Sequence, residues 1–124
     1  MYKARHWPEV VEFYRRFVEG HGKPFAPMLQ LVKLIAASRY ASGTWATTSM
    51  TELLVVQTAE YDPDGEILRI IYNPKSQEFN FELQETSSTL YKRWNRQCSA
   101  ENGFQTFERF MQLKKWFIVC NPIE

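Results

Sequence analysis

Between Leu53 and Leu83 the apolar residues fall into three runs: Leu53-Leu54-Val55-Val56, Ile67-Leu68-Arg69-Ile70-Ile71-Tyr72 and Phe79-Asn80-Phe81-Glu82-Leu83. The gaps between them hold Asp62-Pro63-Asp64-Gly65 and Asn73-Pro74-Lys75-Ser76. Both gaps are turn chemistry, because proline presets φ, glycine accepts φ > 0, and Asn and Asp bond their own backbone. Apolar and β-branched runs joined by short turns predict an antiparallel meander. The third run alternates, with Phe79, Phe81 and Leu83 on one face and Asn80, Glu82 and Gln84 on the other. The first set is expected in the core, with Asn80 and Glu82 exposed or at an edge.

The flanking segments change period. Trp7, Val10, Val11, Tyr14, Phe17 and Val18 recur at helical spacing and predict a helix over 7–19, with Pro8 in its first turn and Gly20 past its end. Glu12 with Arg16 and Arg15 with Glu19 are i,i+4 pairs on its outward side. A second helix is predicted from Pro27 to about Tyr40. Met28, Leu29, Leu31, Val32, Leu34, Ile35, Ala36 and Ala37 surround it with apolar groups, leaving Gln30 and Lys33 as a wet edge.

Thr44 to Ser49 favours β structure. Two readings stay open there: a backward extension of the first meander strand through a bulge near Ser49 or Met50, or a separate short strand. Residues 86–98 are read as a strand, because Leu90, Trp94 and Cys98 share one face at period 2. Ser99 is expected to cap a final helix striped by Phe104, Phe107, Phe110 and Met111, with Lys114 and Lys115 near its negative end. Residues 117–120 finish that helix or add a short strand.

The chain of 124 residues suits a single α+β domain spanning 1–124. Its expected fold is an antiparallel meander of three to five strands, with two N-terminal helices and one C-terminal helix packed on one face. That order resembles the cystatin-like or NTF2-like α+β outline, in which a curved sheet wraps a helix. The resemblance is one of element order, so it carries no function.

Composition narrows the chemistry rather than the fold. Aromatics are 15% of the chain, enough for a core of large rings or a sticky surface. The net charge of +1 lacks the basic excess usual in nucleic-acid binders. Cys98 and Cys120 have no CxxC spacing, which argues against zinc and for two reduced thiols. The opening residues lack a signal-peptide core, and the apolar stretch from Met28 to Ala37 is too short to span a bilayer. A cytoplasmic protein with no membrane contact is expected.

No catalytic, cofactor-binding or metal-ligating set is expected. Asp62, Asp64 and Glu66 lack the spacing of a calcium loop, and His6 and His21 flank a helix too long to bring them together. Cys98 reads as a buried thiol despite Arg96 nearby. The leading expectation is therefore a small binding or interaction protein that pairs with itself as a homodimer, on the strength of the all-round apolar second helix.

Two alternatives stand beside it. The basic–aromatic segment 91–96 offers nucleic-acid contacts at Tyr91, Lys92, Arg93 and Arg96. A small-ligand or enzyme pocket between helix and sheet would draw on Trp7, Tyr14, Trp45 and Tyr61.

Overall fold

A computed structural model describes residues 1–85 and 94–117. In chain order the elements are β1 (Tyr2–Lys3), α1 (Trp7–Glu19), α2 (Ala26–Ala36), β2 (Trp45–Ser49), β3 (Glu52–Val56), β4 (Glu60–Tyr61), β5 (Ile67–Asn73), β6 (Glu78–Gln84), β7 (Asn95–Ser99) and α3 (Gly103–Lys114). The main sheet has five antiparallel strands in the order β2-β3-β5-β6-β7, and β1 pairs with β4 in a separate two-stranded ribbon. This is the expected α+β arrangement, two helices before the meander and one after it.

Register divides the sheet into two faces. Val55 lies opposite Leu68 and Leu68 opposite Leu83; Leu53, Ile70 and Phe81 form the next row. Residues directly opposite one another share a face. These rows join Trp7, Val10 and Tyr14 of α1, Met28, Val32 and Ile35 of α2, and Phe107, Phe110 and Met111 of α3 in one apolar cluster. Phe79, Phe81 and Leu83 are all buried, as the alternation predicts.

The opposite face is not simply wet. Leu54, Val56 and Ile67 form a second cluster there with Tyr61, Ala4 and Trp45, beneath the β1–β4 ribbon. Gln84 is buried and its amide donates to the carbonyls of Pro63 and Gly65 at 3.0 and 2.9 Å. The Asp62–Gly65 turn thus folds down onto this face. Glu82, expected to be exposed, is only 5% accessible. Period-2 alternation separates two faces but does not say that the second is wet.

The other differences are at element ends. Thr44 to Ser49 resolves as a separate strand, with Ser49 opposite Glu52 and only Met50 and Thr51 between them. A two-residue hairpin needs φ > 0 in its turn, and Met50 supplies it at 57°. Helix α2 ends at Ala36 rather than near Tyr40. The Ser38 hydroxyl donates to the Ile35 carbonyl at 2.7 Å and accepts from the Tyr40 amide at 3.1 Å, which turns the chain into a 3₁₀ turn over Arg39–Ala41. Ser99 precedes a 3₁₀ turn over Ala100–Asn102, and α3 proper starts at Gly103. Of the strand predicted over 86–98, β7 covers the last part and residues 86–93 lie outside the described region. Residues 118–120 lie outside it too.

Candidate functional site: a polar groove and an apolar hollow

The pocket expected from Trp7, Tyr14, Trp45 and Tyr61 is not assembled. Trp7 and Tyr14 are buried under the helices, the indole donating to Thr44 Oγ1 at 3.0 Å and the phenol to the Thr51 carbonyl at 3.1 Å. Burial pushes the Tyr14 hydroxyl above its ordinary pKa. Trp45 and Tyr61 belong to the cluster on the other side of the sheet. Trp45 is opposite Val56 while Ala46 is opposite Val55, so a single step along β2 changes the face. The sheet itself stands between the two pairs.

That second face also carries a small charged cluster. Arg69 pairs with Glu52 at 2.8 Å, and Asn80 donates to Glu82 Oε1 at 2.7 Å. Glu82 Oε2 and Arg69 Nε are buried and have no hydrogen-bond partner. Burial raises the Glu82 carboxyl above its usual range, against the pull of Arg69, whose guanidinium is already held by Glu52.

Among the groups considered for chemistry, two of the three carboxylates of the Asp62 turn have tasks of their own. Asp62 caps the Asp64 amide at 2.9 Å, and Glu66 accepts from Gln57 at 3.1 Å and pairs with Lys114 at 3.0 Å. His6 and His21 stand exposed at the two ends of α1. Cys98 is half-buried; burial raises its thiol pKa, the contact with Thr106 opposes this, and Glu78 adds to it.

Of the residues considered for nucleic acid, Tyr91, Lys92 and Arg93 lie outside the described region, while Arg96 is placed in full. It projects from β7 with its guanidinium 5.1 Å from the centre of the Trp94 ring and donates to the Asn95 carbonyl at 2.9 Å. The Trp94 ring is buried edge-on against Phe81 and Phe110, at 6.4 and 5.0 Å. The lining of a groove of about 480 Å³ includes Arg96, Gln97 and Cys98 from β7 and Thr106, Arg109 and Leu113 from α3. Asn102 closes one end, its amide donating to Ser99 Oγ at 3.0 Å. Sequence reading missed the helix side of this groove. The signal was present as a polar stripe at Asn102, Thr106 and Arg109, one helical face away from Phe107 and Phe110.

A second concavity, about 430 Å³, lies between α2 and the start of α3. Pro27, Leu31 and Leu34 line one side and Gly103 and Phe104 the other. Leu34 is 52% exposed, whereas Met28, Leu31, Val32 and Ile35 on the same helix are buried. Helices α1 and α3 both pack against α2.

No protein family, curated protein or solved structure matches this chain. Among the described residues, no helix is long and apolar enough to cross a membrane.

Proposed function

We propose that the chain is a small binding protein that pairs with a second copy of itself across the apolar hollow between α2 and α3. The observation that carries this reading is Leu34, a large aliphatic side chain left half in solvent at the lip of a hollow lined by Pro27, Leu31 and Phe104. A twofold axis beside Leu34 lets each copy insert its leucine into the other's hollow, the self-complementary geometry of an isologous contact. Fully burying such a side chain is worth about 1.5–3 kcal/mol, so two per dimer are a useful part of a modest affinity.

Light scattering at micromolar concentration tests it. The expected mass is twice 14.7 kDa, falling toward 14.7 kDa on dilution. Leu34→Lys should give the lower mass at every concentration and melt as the wild type does at dilutions where the latter is monomeric, since its side chain contributes little to the monomer core. A wild-type mass of 14.7 kDa without concentration dependence rejects the pairing.

A further inference from the structure

We propose that the groove between β7 and α3 binds a phosphate group carried on an organic ligand of nucleotide size. Charge is the first argument. Arg96 and Arg109 approach from the strand wall and the helix wall, and among the described residues no acidic side chain lines the groove and neither arginine has an ion-pair partner. The other arginines of the described sheet and first helix behave differently. Arg69 is held by Glu52, and Arg15 and Arg16 by Glu12.

Geometry is the second argument. One guanidinium fork satisfies the two oxygens of a carboxylate, whereas two forks from separate walls suit a phosphate, which offers three. Arg96 is already oriented by the Trp94 ring and the Asn95 carbonyl, so little side-chain freedom is lost on binding. Glu78, on the neighbouring strand β6, accepts from Gln97 Nε2 at 2.9 Å and does not line the groove.

Volume sets the ligand class. A space of about 480 Å³ exceeds what an inorganic ion fills and has room for a sugar and base. Trp94 is buried beneath Arg96 and offers no open ring for stacking, so the phosphate is the recognised part. A free nucleotide carries this group as a monoester with three free oxygens, whereas a unit within a nucleic-acid strand carries a diester with two, and the test separates the two sources. The site does not depend on the pairing proposed above, because the groove and the Leu34 hollow are lined by different residues.

The test is titration of the full chain with inorganic phosphate, with adenosine monophosphate and with a fluorescently labelled single-stranded oligonucleotide, at about 50 and 200 mM salt. Binding of the nucleotide or the oligonucleotide is expected, weaker at the higher salt. Arg96→Gln and Arg109→Gln should each weaken it about tenfold, and Lys33→Gln, an exposed cation on α2, should leave it unchanged. Equal affinity for nucleotide and oligonucleotide identifies a free nucleotide as the source. A tighter oligonucleotide, whose salt slope drops by about one on each arginine substitution, identifies a strand. The proposal is overturned if none of the probes binds at low salt, or if the double variant, with a wild-type melting curve, binds as the wild type does.

Discussion

Glu82 shows how a single position in a strand carries two opposing demands. Its alternation with Phe81 and Leu83 puts it on the second face of the sheet, where β-structure is normally wet, yet it is buried and one carboxylate oxygen finds no donor. Directly across the ladder is Arg69, which would neutralise it, but Glu52 already holds that guanidinium. The carboxyl therefore keeps its proton to higher pH in the folded chain than in the unfolded one. A group of this kind contributes its stability fully below the unfolded pKa, about 4.3, and loses it as pH rises through the folded value. Glu82→Gln should accordingly match the wild type in denaturant unfolding near pH 4 and exceed it at pH 7. A variant less stable than wild type at pH 7 would mean that the ionised carboxylate is held by partners. Phe81 is the plainer neighbour: fully buried and opposite Ile70 in the register, it should cost about 3–5 kcal/mol on truncation to alanine. Unfolding of Phe81→Ala in urea measures that loss, and a loss under about 1 kcal/mol would show that the core closes over the gap.

At the scale of elements, the turns separate what the sequence made legible from what it did not. The β5–β6 hairpin announces itself, since Asn73 Oδ1 accepts from the Lys75 and Ser76 amides at 2.9 and 3.4 Å. The β2–β3 hairpin has no Gly, Asn or Pro in its turn, only Met50 in the left-handed region at φ 57° and 91% exposed. Nothing in the local pattern marks it, so β2 was readable as β structure but not as a separate strand. Met50→Gly should stabilise the protein, because the left-handed conformation costs an L-residue about 1–2 kcal/mol and glycine gives back under about 1 through its freer unfolded chain. A lower melting temperature for that variant would show that the methionine side chain makes a contribution its exposure conceals. The start of α3 gives the reverse case. A Cβ on Gly103 would sit 2.7 Å from the ring of Phe79, itself buried between β5 and β7. Gly103→Ala is therefore expected to destabilise by about 1–3 kcal/mol through overpacking, measured by unfolding in urea. The candidate groove was half legible for a related reason. Arg96 stood out in a basic–aromatic run, but Arg109 joins it only through the packing of α3 on β7, which no single segment encodes.

For the whole molecule, the question is which surface a second copy would use, since the described residues offer two ways to pair. One is strand addition at an edge of the five-stranded sheet, and the other is the hollow beside Leu34. The β2 edge is partly closed already, because Ala46 exchanges both backbone hydrogen bonds with Arg5, at 2.8 and 3.1 Å. The β7 edge carries Asn95, Arg96 and Gln97, all exposed, and a polar, charged edge is how sheets avoid pairing with one another. Edge addition would also bring the Arg96 of one copy toward that of another across an antiparallel ladder, a like-charge contact that costs rather than stabilises. The helix side has no such obstacle: it exposes Leu34 with a hollow next to it, whereas Leu113, exposed on α3, lies at the polar groove. Hydrogen exchange at high and low protein concentration distinguishes the two routes. Concentration-dependent protection is expected around Leu34 in the last turn of α2 and in the first turn of α3, and none in the amides of β7. Protection that grows along Asn95–Ser99 instead would place the contact at the sheet edge and remove Leu34 from the interface.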